Sequence, residues 1–138
     1  MKVTNTLVDG QKIKIAKIAK KFQLKLIVIF GSFASGKNRE DSDLDIAVLG
    51  SKKVSFNEQI SLTNGLSRLY NKNVDLSILN MANPLLLFQA SKNPILLYGS
   101  REEFLKFKLY AFNAYNDYAQ YFEMEKNLNK KIISAYAN

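Results

Sequence analysis

The chain contains no cysteine, no histidine and no tryptophan. Without cysteine there is no disulfide framework, no thiolate zinc site and no thiol nucleophile. Without histidine there is no Ser-His-Asp triad, no imidazole base and no imidazole-ligated metal. Any catalysis is left to carboxylates, Lys, Tyr, Ser, backbone amides or a hard metal ion. Long apolar runs are also missing. Leu26-Ile27-Val28-Ile29-Phe30 falls far short of the ~20 residues that a membrane span needs. The first residues, Met1 to Gln11, hold no hydrophobic signal core. The expectation is a cytoplasmic protein that makes no use of the membrane.

What is present is ordinary in amount. The 138 residues suit a single domain over 1–138, with 47% hydrophobic and 23% charged residues. Lys+Arg exceeds Asp+Glu by 20 to 12, a net charge of +8. Lysines are scattered from Lys12 to Lys131 with no recognisable nucleic-acid motif beside them. Compositional bias accounts for that charge better than a nucleic-acid partner does.

Periodicity predicts the elements. Ile15, Ile18, Ala19 and Phe22 recur at helical spacing within 9–22, with lysines between them. The stretch 24–30 reads as a buried strand. Leu44, Ile46 and Val48 alternate with Asp43, Asp45 and Ala47 in a second strand; Val74, Leu76 and Ile78 alternate with Asp75 and Ser77 in a third. Ser55 and Glu58 match a capping box ahead of a helix over 55–70. A short helix is expected near Asn83-Pro84, and Ile95 to Tyr98 forms a short apolar piece. A long helix over about 100–126 follows a core of about 8–99, leaving a basic tail over 127–138 that frays. The expected fold class is α/β (α+β): a small mixed β-sheet with helices packed on one face and a long C-terminal helix.

The chemistry concentrates between Ile29 and Val48. A strand ends in Gly31-Ser32, where small residues let backbone N–H groups approach a phosphate. Asp43 and Asp45 stand two apart, on one face of a strand and ~6.6 Å apart along it. Asp75 supplies a third carboxylate on a similar strand. Like charges on one face repel unless a cation lies among them, and a hard divalent ion such as Mg²⁺ fits oxygen donors. Three carboxylates on an open sheet face suit two-metal phosphoryl or nucleotidyl transfer. A lone Asp-x-Asp is more often a solvated strand edge, and a lone Gly-Ser says almost nothing. All four positions together match by chance on the order of once in a thousand sequences.

Gly31-Ser32, ten residues, then Asp43-Leu44-Asp45 resembles the signature of the DNA polymerase β-like nucleotidyltransferase superfamily. Length and the segment from Asn83-Pro84 to Tyr98 resemble its minimal branch, the MntA-type antitoxins. The resemblance implies that Asp43, Asp45 and Asp75 ligate Mg²⁺, as two ions, with Asp75 also helping to deprotonate the acceptor. It implies that Gly31 and Ser32 hold the triphosphate of ATP, with Ser42, Lys37 and Arg39 as further nucleotide-binding residues. It implies an enzyme that transfers AMP to a tyrosine of a HEPN-domain (HepT-type) ribonuclease toxin, its partner. HEPN ribonucleases need a histidine, so this chain is not the toxin. Ser35 stands where the family often has a loop Arg, a gap that Lys37 or Arg39 could fill.

Two other readings stay open. One is a transferase for another acceptor, a small molecule or a nucleic-acid end. The other is an antitoxin that acts by occlusion. Phe104, Phe107, Ala111, Tyr115, Tyr118 and Phe122 form an aromatic stripe along the last helix. Its first half suits core packing and its second half an interface with a partner or a second copy.

Overall fold

The computed structural model describes residues 11–39 and 41–137. Helix α1 spans Lys12–Lys21 and strand β1 spans Leu24–Phe30. A single-turn helix α2, Gly31–Ser35, follows at once. Next come β2, Leu44–Gly50, and α3, Phe56–Tyr70. Strand β3, Val74–Ile78, leads through a 3₁₀ turn at Leu79–Met81 into α4, Pro84–Ser91. Strand β4, Ile95–Tyr98, and helix α5, Arg101–Tyr136, complete the order. The expected start of the first helix at Asp9 lies outside the described residues.

The strands form one mixed sheet in the order β3-β2-β1-β4. β1 pairs antiparallel with both β2 and β4, and β2 pairs parallel with β3 across the α3 crossover. The caps expected from sequence form. Ser55 Oγ accepts from the Glu58 N–H at 3.1 Å, and Glu58 Oε1 accepts from the Ser55 N–H at 3.0 Å. That carboxylate is held below its usual pKa by the Ser55 backbone and hydroxyl hydrogen bonds. Asn83 Oδ1 caps α4 through the Leu86 N–H at 2.9 Å. Gly50 and Asn80 clasp across the fold, with Asn80 Oδ1 accepting from the Gly50 N–H at 2.8 Å and Nδ2 donating to its carbonyl at 2.9 Å.

The four-stranded mixed sheet and the long last helix agree with expectation. The helices do not pack on one face, however; they cover both. Ile27, Ile29, Leu44, Ile46 and Val48 point to one side, against α1 and α3. Leu26, Val28, Phe30 and Ala47 point to the other, against Leu87 and Ala90 of α4 and Phe107 and Ala111 of α5. The physical reason lies in β1. All its residues except Lys25 are buried, so the centre of the second face is as apolar as the first and must be covered. Only the β2–β3 side of that face, with Asp45, Asp75 and Ser77, stays polar.

The last helix also runs further than expected, to Tyr136 instead of about 126. No Gly or Pro interrupts 101–136, so no local breaker stops it. Ser100 Oγ caps its start through the Glu103 N–H at 3.1 Å. Among the described residues, no helix is long and apolar enough to cross a membrane.

Candidate active site

β1 delivers Gly31 to one end of the sheet, and β2 and β3 both start at that end. In the parallel β2–β3 register, Asp45 stands directly opposite Asp75. Neighbouring strands lie ~4.8 Å apart, so two carboxylates face each other on the same sheet surface. Like charges in such a pair are destabilising. The Asp45 carboxyl is pushed above its ordinary pKa by partial burial first, and then by the charges of Asp75 and Asp43. A repulsive carboxylate cluster in a cleft is a mark of a working site.

Gly31 explains why a glycine is needed there. Its φ is +72°, a left-handed conformation, and a Cβ at that position would run into the Asp45 Oδ2 atom. The backbone of the turn therefore lies directly on the Asp45 carboxylate. The loop then folds back on itself. The Ser32 carbonyl accepts from the Lys37 N–H at 2.9 Å and from Ser35 Oγ at 3.2 Å. Gly36, with φ +76°, ends the single turn and swings Lys37 towards the cleft.

The cleft has a volume of about 510 Å³. Phe30, Gly31, Ser35 and Lys37 line one wall, and Leu86, Gln89, Lys92 and Asn93 at the end of α4 line the other. Asp45, Asp75 and Ser77 form its floor. Of the residues expected from sequence, Gly31, Lys37, Asp45 and Asp75 thus meet in one cavity. Asp43 and Ser42 line the adjoining cavity, of about 460 Å³, with Asp41, Arg68 and Lys72. Asp43 immediately precedes β2. It remains close enough for its charge to act on Asp45. Ser32 is half-buried and does not line the cleft. The Arg39 N–H donates to Ser42 Oγ at 2.8 Å, so that pair stiffens the approach to β2, and the Arg39 side chain is not in either wall.

Sequence reasoning missed Ser77, Gln89, Lys92 and Asn93. Ser77 was within reach, since it follows Asp75 by two on an alternating strand. The other three come from the α4–β4 corner, which only the tertiary fold brings across from the Gly31 turn.

Hard oxygen donors on Asp45 and Asp75, mutually repelling, fit a divalent cation. Among the described residues, no three acidic side chains converge tightly enough to hold an ion by themselves. Mg²⁺ commonly takes one or two carboxylates and completes its shell with water and substrate phosphate.

A small mixed sheet that presents opposed carboxylates beside a glycine turn has the makings of a nucleotidyl-transfer protein. The profile of the family described as "Polymerase beta, Nucleotidyltransferase" matches residues 13–103, and the chain belongs to that family. It is 31% identical over 81 residues to Protein adenylyltransferase MntA of Shewanella oneidensis, a match over 59% of this chain and 58% of that protein. The chain thus spans less than two thirds of that relative's length. A crystal structure of a toxin–antitoxin with AMP-PNP aligns at 26% identity and a TM-score of 0.70, over 89% of this chain and 98% of the matched one. A tri-AMPylated Shewanella oneidensis HEPN toxin in complex with its MNT antitoxin aligns at 24% identity and a TM-score of 0.65, over 90% and 96%, a likeness of fold.

Proposed function

We propose that this chain is an antitoxin that transfers AMP from ATP to a tyrosine hydroxyl of a HEPN-domain ribonuclease in the cytoplasm, with Mg²⁺ as cofactor. The observation that carries the reading is the facing of Asp45 and Asp75 across a cleft walled by the Gly31 turn. The relative named as a protein adenylyltransferase supports protein as the acceptor. The neighbour solved as a toxin–antitoxin with AMP-PNP supports ATP and a toxin partner.

In this reading Asp45 and Asp75, joined by Asp43, hold two Mg²⁺ ions. Bound there, the metal would neutralise charge on the phosphates and on the attacking oxygen. Gly31 and Ser32 offer backbone to the triphosphate, and Ser42 and Arg39 brace the loop beside it. Ser35 is short and neutral where the family often has Arg. Lys37, on the same wall, supplies the missing positive charge; Arg39 does not reach that wall. The tyrosine oxygen attacks the α-phosphorus while Asp75 accepts its proton. The bond from the α-phosphorus to the bridging oxygen breaks, and pyrophosphate leaves on the Lys37 side.

The test is incubation with α-labelled ATP, Mg²⁺ and a HEPN-domain ribonuclease. Label is expected on a tyrosine of the partner and absent with Asp43→Asn, Asp45→Asn or Asp75→Asn. If those variants silence the ribonuclease as fully as the parent does, occlusion replaces transfer as the mechanism.

A further inference from the structure

Strand directions fix where α5 leads. β1 ends, and β2 and β3 begin, at the Asp45–Asp75 end of the sheet. β4 starts at that end, with Ile95 beside Ile29, and finishes at the opposite end, where Gly99 packs on Lys25 and Leu26. α5 therefore starts far from the carboxylates and runs back towards them, on the same sheet face. Phe107 and Ala111 are its buried residues, packed in one cluster with Leu26, Val28 and Phe30. Tyr115 then stacks on Phe88 of α4, with ring centroids 4.0 Å apart, one residue before the cleft-lining Gln89. The body ends there. Every residue from Ala119 to Tyr136 is exposed. At ~1.5 Å per residue this overhang is an arm of about 27 Å, projecting past the mouth of the cleft.

The arm keeps the stripe that buried the first half. Phe122, Ile132, Ile133 and Tyr136 continue it at helical spacing, and Ile133 is 68% exposed and Tyr136 86%. An 18-residue helix whose every residue is exposed is marginal in water. One side of such a rod offers several hundred Å², approaching the ~800 Å² per partner of a standard interface. Glu125, Lys126 and Lys130 share one side of the arm with Phe122 and Ile133. Position selects the occupant: the arm roots at Tyr115, which stacks on Phe88 beside the cleft-lining Gln89, so a protein held along it stands at the cleft.

We propose that the α5 arm is the docking site of the acceptor protein, and that it delivers the acceptor hydroxyl over Gln89 and Lys92 to Asp75. This rests on the transfer reading above. In-line attack requires the acceptor to enter opposite the departing pyrophosphate. With the phosphates on the Gly31–Lys37 wall, the acceptor enters by the α4 wall, next to the root of the arm.

The test uses the full chain with Phe122→Ala, Ile132→Ala and Ile133→Ala combined, and separately Glu125→Lys. Alanine keeps helix propensity, and both sets change exposed positions only. Affinity for the HEPN-domain ribonuclease should fall about tenfold or more in each, with KM for that protein rising in parallel. Binding of AMP-PNP should not change, and kcat at saturating acceptor should stay within about twofold. Asn127→Ala, on the opposite side of the arm, should behave as the parent. Unchanged affinity in both sets overturns the arm proposal. So does a dimeric parent that becomes monomeric in the triple variant, which makes the arm a self-association surface. A HEPN protein that binds through the arm and receives no AMP overturns the transfer reading and leaves the docking assignment standing. A HEPN protein that does not bind the parent overturns both.

Discussion

Asp45 carries an acid whose ionised form the fold disfavours, through burial and then through Asp75 and Asp43. Its folded pKa is raised above the unfolded value of 3.8, so the associated stability is fully present below pH 3.8 and is lost as pH rises through the folded value. Asp45→Asn should therefore melt above the parent at pH 7, with the advantage shrinking as the pH approaches 4. A melting series between pH 4 and 8 checks this. Mg²⁺ with AMP-PNP should raise the parent's melting temperature and raise that of Asp45→Asn much less, since ligand binding to the folded state stabilises it. An equal rise in both would remove Asp45 from the metal site. Gly31→Ala tests the neighbouring atom. The new Cβ meets Asp45 Oδ2 in a left-handed backbone, so transfer should fall by an order of magnitude or more while a destabilisation of only about 1–2 kcal/mol leaves the domain folded. Normal activity in that variant would show that the turn does not set the carboxylate's position. At this scale the sequence was largely legible, because Asp45, Asp75 and Gly31 are each marked by residue type and spacing. Asp43 was legible as a carboxylate but not as the occupant of a second cavity. Which cavity it lines is decided by how β2 is placed through its pairing with β1 and β3.

Each element expected from periodicity forms, because strand alternation and helical spacing are local properties of 24–30, 44–50 and 55–70. The capping box at Ser55 and the Asn83 cap were readable for the same reason. The Gly50–Asn80 clasp was not, since its partners are 30 residues apart and nothing local joins them. It holds the end of β2 to the turn that leads into α4, and α4 carries Gln89 and Lys92. Asn80→Ala removes both hydrogen bonds and should destabilise the domain by about 1–3 kcal/mol, measured by denaturant melts. An unchanged midpoint would show that water replaces the clasp without loss. The end of α5 was misread because a basic, Asn-rich composition suggests fraying, whereas the absence of Gly and Pro lets the helix continue to Tyr136.

At the scale of the whole molecule, the body and the arm should differ in stability. Every residue of 119–136 is exposed, so hydrogen exchange there should be far faster than in β1 and β2 and should slow once a HEPN partner is bound. Protection of the arm equal to that of the strands in the free protein would contradict its isolation. The sequence by itself determined the chemical inventory. With no His and no Cys, the carboxylates of Asp43, Asp45 and Asp75 stand out as the candidate site, and the Gly31-Ser32 turn belongs to the same spacing. It also determined the strands and most helix bounds, because hydrophobic period and capping act over a few residues. Only the tertiary structure decided that Asp45 faces Asp75, that helices cover both faces, that Lys92 stands across from Lys37, and that the long helix returns to the Asp45–Asp75 end. Those facts follow from strand register and strand direction, which are set by pairing between segments distant in the chain and by the need to bury both apolar faces of β1.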